Sequence, residues 1–165
     1  MREIIVEPLS AEAFDQFGTV IEAGRERGAH SINDGSCLKF ANLASPDCSA
    51  DGGKAAIHLY RAKALPKPII LRSFERHALG SQMFMPLGGK SFLIAVAPKG
   101  IFNVDEVRVF ESNGSQGIQF YRGTWHHFCL ALENETEFLV IDRIAGAEDC
   151  ETIDLDGTSA LKVLL

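Results

Sequence analysis

The chain has 165 residues, 46% hydrophobic and 23% charged, with a formal net charge of −6 at pH 7. This mixture fits one compact soluble domain spanning residues 1–165. It excludes a bilayer-spanning helix, for which no apolar run is long enough, and, with no basic run, argues against nucleic acid as a partner.

The opening Met1-Arg2-Glu3-Ile4-Ile5-Val6-Glu7 alternates charge with short apolar pieces. It lacks the apolar stretch and cleavage site of a signal peptide, so a cytoplasmic location with no membrane association is expected. Ser10 to Gly18 reads as a helix, with Ser10 capping its first amides, Glu12 in the first turn and Gly18 as terminator. Gly24 to Gly53 is rich in Gly, Ser, Asn and Asp and reads as long loops around a brief strand near Leu38 to Ala41. Strands are expected near Ala55 to Arg61, Ile69 to His77, Gln82 to Pro86, Ser91 to Ala97, Glu106 to Glu111, Gly117 to Tyr121, His126 to Leu132 and Glu137 to Arg143, with turns at Gly88-Gly89 and Pro98-Lys99-Gly100. Many short strands after one early helix predict an antiparallel sandwich or barrel. Ser91 to Ala97 is apolar on both faces, so it should be covered on both, by the second sheet plus the N-terminal helix or by a partner subunit. A homodimer is therefore expected. The cysteines, Cys37, Cys48, Cys129 and Cys150, form no Cys-x-x-Cys pair and are read as reduced, small apolar residues.

Two segments carry the chemistry. In Glu75-Arg76-His77 the first and third side chains share one face of a strand and Arg76 points away; Gln82 and Gly89 follow. Some fifty residues later comes Arg122-Gly123-Thr124-Trp125-His126-His127, where alternation lets only one of the adjacent histidines face the same pocket. Imidazole and carboxylate are usual ligands of a borderline divalent metal, and an amide oxygen completes such a site weakly. Glu75, His77, Gln82 and His126 are thus candidate metal ligands. Without metal the same groups form a polar pocket in which histidine moves protons, and Glu75, His77 and His126 are the candidate catalytic residues either way. A few inward cations are enough to hold a carboxylate substrate. Arg61, Arg72, Lys90, Arg122 and Arg143 are available, and the candidate substrate-binding set is Gln82, Ser81, Arg72, Lys90 and Arg143.

The spacing of Glu75, His77, Gln82 and Gly89, then Gly123 and His126, resembles the two cupin motifs, with Glu and Gln replacing a His and a Glu. The fold expected is therefore mainly β, a cupin-like antiparallel jelly-roll β-barrel with a short N-terminal helix. Phe74 to Gly89, Gly123 to His127, Phe138 to Arg143, Pro8-Leu9-Ser10 into Phe14 and Phe17-Gly18, and Ile32 to Gly35 are together similar to the ureidoglycolate lyase family, formerly called ureidoglycolate hydrolase. Ala78 departs from the family, which more often has proline there, and is expected to relax the turn without touching a ligand. The resemblance implies a small dimeric enzyme of allantoin degradation that cleaves ureidoglycolate to glyoxylate and urea, with a divalent metal, usually nickel, and no organic cofactor. The rivals are an amidohydrolase releasing ammonia from the same substrate and a non-catalytic binder of small carboxylates.

Overall fold

The computed structural model describes residues 1–24, 28–146 and 148–165; residues 25–27 of the loop-rich stretch lie outside it. The protein is mainly β, with 47% strand and 6% helix. Its strands are β1 (Arg2–Pro8), β2 (Gly18–Ile21), β3 (Ala29–Ile32), β4 (Cys37–Phe40), β5 (Lys54–Ala62), β6 (Ile70–Leu71), β7 (Ser73–Arg76), β8 (Gln82–Leu87), β9 (Phe92–Ala97), β10 (Arg108–Glu111), β11 (Gly117–Phe120), β12 (Trp125–His126), β13 (Leu130–Ala131), β14 (Thr136–Ile144), β15 (Glu151–Asp154) and β16 (Leu161–Leu164). A nine-stranded sheet runs β15-β7-β12-β9-β10-β1-β16-β6 with β13 also on β9, and a five-stranded sheet runs β2-β11-β8-β14-β5; β3 and β4 form a separate hairpin. The sheets curl into a half-barrel.

Alternation along the strands builds the interior. Phe92, Ile94, Val96 and Phe110 of the larger sheet meet Val20, Phe84, Ile118, Phe120, Phe138 and Val140 of the smaller one in a shared core. The opposite face of β9, Leu93, Ala95 and Ala97, packs with Leu71, Val109, Leu161 and Val163 in a second cluster. Every residue of β9 is buried. Its doubly apolar sequence is thus answered inside the chain, because the larger sheet curls over its own second face. The first face is met by the smaller sheet together with Phe14 of the N-terminal helix, and no partner subunit is needed on either face, which corrects the reason for expecting a dimer.

Two further expectations change. The helix expected from Ser10 to Gly18 is a single turn, α1 (Ala11–Phe14), capped by Ser10 Oγ accepting from the Ala13 amide at 3.2 Å. Gly18 does not end it but opens β2, paired with Phe120. A Cβ at Gly18 would lie 2.1 Å from the Gln119 carbonyl oxygen, so this close backbone approach requires glycine. The turn serves to deliver Phe14 and Phe17 to the core, 5.6 and 6.1 Å from the Phe110 ring. The larger sheet is also not wholly antiparallel: β1 lies between β10 and β16 and runs parallel to both. Its neighbours come from distant parts of the chain, and such long connections are what parallel pairing needs.

Phe138 links the two sheets. It is fully buried and its ring makes edge contacts with Phe84 and, across the core, with Phe92, at centroid distances of 6.1 and 4.9 Å. Phe138→Ala is expected to cost about 3–5 kcal/mol of unfolding free energy, read from the shift in denaturant midpoint.

Candidate active site

The site forms between the two sheets, at one end of their shared core. In β7, Glu75 is the register partner of His126 in β12, and His126 is the partner of Val96 in β9. All three share the face turned to the smaller sheet. His77 follows β7 on the same side. One ligand atom from each of Glu75, His77 and His126 lies within 4.8 Å of the others. The His126 ring stacks on Phe120, with centroids 4.3 Å apart and planes at 5°, and Phe120 is the register partner of Gln82. His127 faces the other way, its ring edge-on to Phe74.

Hydrogen bonds set what these groups present. His77 Nδ1 meets the Asp149 carbonyl oxygen at 2.5 Å. A carbonyl only accepts, so Nδ1 carries the proton and Nε2 keeps a bare lone pair. The same reasoning applies to His126, whose Nδ1 lies 3.3 Å from the His127 carbonyl oxygen. The amide nitrogen of Gln82 is turned to Asp142 Oδ2 at 3.3 Å, leaving its oxygen inward. His77 Nε2, His126 Nε2 and Gln82 Oε1 are buried and have no hydrogen-bond partner among the described residues. Burial, reinforced by the nearby His77, lowers His126 to a pKa of about 3, so it stays neutral near physiological pH.

The arrangement is an all-acceptor cluster beside a carboxylate. Its donor set fits a divalent cation held by Glu75, His77 and His126, with the Gln82 oxygen on the same inner face.

A cavity of about 500 Å³ opens beside the cluster, lined among others by His77, Ser81, Asp142, Arg143 and Cys150. Arg143 thus lines the site, its guanidinium steadied by donation from Nε and Nη2 to the Ala50 carbonyl at 3.1 and 3.0 Å. Gly80 leaves room for it, since a Cβ there would come within 2.6 Å of Arg143 Cβ. Arg122 is close by, donating to the Ala78 carbonyl at 3.2 Å. The other expected cations lie apart. Lys90 is beyond the far end of β8 from Gln82, its ammonium on the Asn134 and Glu135 carbonyls; Arg72 is exposed between β6 and β7; and Arg61 is paired with Glu137 at 2.7 Å. Ser81 lines the cavity, but its hydroxyl accepts from the Asp47 amide at 2.8 Å and its own amide donates to the Asp47 carbonyl at 2.8 Å. It stitches a loop to the site.

Ala78 does more than relax a turn. Its amide donates to Asp149 Oδ1 at 2.9 Å, and the Leu79 amide donates to Oδ2 at 2.8 Å. A proline at this position has no amide hydrogen to give. The two bonds hold Asp149 where its carbonyl meets His77. The second motif is tied in through Gly123, whose amide donates to the His77 carbonyl at 2.7 Å from a turn with φ of +77°, a conformation that favours glycine.

Sequence reasoning missed Asp142, His58, Tyr60 and Asp149. For three of them a signal exists. Asp142 continues the inward series Phe138, Val140, and His58 and Tyr60 are the register partners of Val140 and Phe138, so all three are polar residues on a core-facing register. Burial, then the charges of Asp142 and Glu75, raises the Tyr60 pKa, which keeps its phenol protonated. Asp149 carries no such signal, because its place depends on a loop returning from β14.

Burial also lowers His127, to about 4. Above its ordinary value near 6.5 both folded and unfolded forms are neutral. As the pH falls, the unfolded chain takes the proton first, so stability is fully present above pH 6.5 and is lost on acidification toward pH 4. The loss is roughly 2 kcal/mol at pH 5. His127→Phe keeps a ring against Phe74 and should flatten the decline of melting temperature between pH 7 and pH 5; an unchanged slope would assign that decline to other groups.

The family model described as Ureidoglycolate lyase matches residues 1–162. A protein named ureidoglycolate lyase from Pseudomonas syringae pv. syringae is 45% identical over 153 residues, covering 92% of this chain and 89% of its own. One of the same name from Pseudomonas putida is 46% identical, with 92% and 90% covered, and one from Stutzerimonas stutzeri is 44% identical over 152 residues, with 92% and 89% covered. With a Glu-His-His cluster beside a cavity, and similarity running over nearly its whole length, the chain belongs to the ureidoglycolate lyase family.

Proposed function

We propose that the protein is a ureidoglycolate lyase, cleaving ureidoglycolate to glyoxylate and urea in allantoin degradation, on a cupin-like jelly roll formed by the whole chain. The observation that carries this reading is the buried set of unpartnered acceptors, His77 Nε2, His126 Nε2 and Gln82 Oε1, beside Glu75 and a cavity lined by Arg143. Such a set calls for a cation or a ligand rich in hydrogen-bond donors. Ureidoglycolate brings a hydroxyl and ureido N–H groups to the acceptors and a carboxylate to the arginine. A divalent ion, nickel by family resemblance, would be held by Glu75, His77 and His126, with Gln82 as a weak neutral ligand, and would lower the pKa of the substrate hydroxyl.

The chain's own groups then divide the work. Arg143 holds the carboxylate. His126, with a pKa of about 3, is too weak a base to carry protons near neutrality and serves as a lone-pair holder, with the Nε2 of His77 turned to the same cluster. Glu75 is the proton carrier. One of its oxygens faces His126, 3.8 Å from Nδ1, and the other faces outward, 3.7 Å from Cys150 Sγ. The outer oxygen takes the hydroxyl proton as the carbonyl of glyoxylate forms and the carbon–nitrogen bond breaks, then returns it to the departing urea nitrogen. Phe120, buried and stacked on the His126 ring, helps to keep that side of the cluster dry.

The same reading includes a homodimer. The outer face of the smaller sheet sets Ile57 and Leu59, 71% and 73% exposed, beside Ile141 and Leu139 and then Met83 and Met85. β5 is also that sheet's free edge. A continuous apolar face of this kind is seldom left bare, and a second copy offers the matching surface. Four unpaired cysteines fit the reducing cytoplasm, and among the described residues no helix is long and apolar enough to cross a membrane.

Incubated with ureidoglycolate and nickel, the protein is expected to release urea and glyoxylate in equal amounts; ammonia without urea would assign the amidohydrolase reaction, and binding without turnover the sensor. Glu75→Gln should lower kcat about 100- to 10,000-fold at saturating nickel. In sedimentation the wild type should run as a dimer and Leu59→Arg as a monomer; a monomeric wild type removes the dimer.

A further inference from the structure

We infer that Asp142 is a positioning residue that decides which end of the Gln82 side chain faces the active site, with His58 holding Asp142 in place. The inference rests on the reading of Gln82 as part of that site. The two ends of a glutamine amide are alike in shape and opposite in hydrogen bonding, so packing alone does not choose between them. Here the choice is made by chemistry. Asp142 Oδ2 lies 3.3 Å from Gln82 Nε2, and a carboxylate offers only acceptors, so the amide must turn its N–H₂ to Asp142 and its oxygen to the interior. That oxygen is buried and has no hydrogen-bond partner among the described residues. The other carboxylate oxygen, Oδ1, is engaged by His58 Nε2 at 3.0 Å, which keeps the carboxylate from turning away.

The placement has no packing rationale. Asp142 occupies the core-facing register of β14 that Phe138 and Val140 fill with apolar side chains, and His58 is the β5 partner of Val140. Were the amide reversed, two N–H donors would point to the place where His77 and His126 offer lone pairs, and a cation there would be repelled. With Asp142 present every inward group is an acceptor. Asp142 therefore selects, through the Gln82 amide, for an occupant that brings positive charge or hydrogen-bond donors to Gln82.

A partner exchange tests this. Asp142→Asn removes the acceptor-only face and frees the Gln82 amide to turn; nickel affinity and kcat/KM should each fall about 10- to 100-fold, while the melting temperature changes little. Gln82→Glu alone sets two carboxylates against each other and should lower both melting temperature and nickel affinity. The double variant Gln82→Glu/Asp142→Asn restores a donor opposite an acceptor, and should recover at least half of the lost melting temperature and bind nickel more tightly than Gln82→Glu. Additive effects of the two substitutions, or an Asp142→Asn protein indistinguishable from wild type, would overturn the inference. If Gln82→Glu does not fold, the side-chain amide resonances of Gln82 in metal-free protein decide: they should move on Asp142→Asn, and unmoved resonances overturn the inference. The rescue in a wild-type background that makes no urea would remove the proposed activity and keep the role of Asp142, whereas urea production with additive substitutions would do the reverse.

Discussion

The pairing of Glu75 in β7 with His126 in β12, and of His126 with Val96 in β9, is the constraint on which the rest of the site depends. Successive side chains on a strand point to opposite faces, so a slip of one residue would replace His126 on the inner face by Trp125 or His127. Trp125 and Phe74 belong to the cluster on the other side of the sheet, and moving them inward would open that cluster as well. Core packing on both faces of the larger sheet thus holds the register, and the register holds the chemistry. The Gly123 amide on the His77 carbonyl adds a direct tie between the two strand ends.

The site runs against the usual economy of a protein interior. Buried acceptors without partners each cost on the order of 1–3 kcal/mol, and His77, His126 and Gln82 contribute three such atoms, unpartnered among the described residues. They persist because nearby groups fix their orientation: the Asp149 carbonyl for His77, the His127 carbonyl and Phe120 for His126, and Asp142 for Gln82. A bound cation or a donor-rich substrate would relieve the cost, so the same acceptors that weaken the fold favour an occupant. This is where a local violation of the rules of packing is expected to mark function.

A single strand, β14, shows how alternation divides labour. Phe138 and Val140 fill the core, Asp142 in the same series reaches the site, and Leu139 and Ile141 between them face outward beside Leu59 and Ile57 of β5. Arg143, one residue on, turns to the cavity mouth and is steadied by the Ala50 carbonyl. Core, site and outer apolar face are therefore set by one register and cannot be moved independently.

The sequence by itself determined what alternation and composition can determine. The β class, the burial of β9 on both faces, the shared face of Glu75 and His77 and the opposed faces of His126 and His127 all follow from a side-chain period of two and from residue types that fit it. What only the tertiary structure decided are relations between groups remote in the chain. The helix at Ser10 shrank to one turn because Gly18 was claimed by a close approach to Gln119, and β1 ran parallel because its partners lie far downstream. Arg143 rather than Lys90 or Arg72 came to line the cavity, and Asp149, Asp142 and His58 came to orient the ligating groups, through contacts spanning sixty residues or more. Local pattern specifies the direction of a side chain on its own strand. The distance between side chains on different sheets is set by how those sheets curl and pack, and no periodicity along the chain records it.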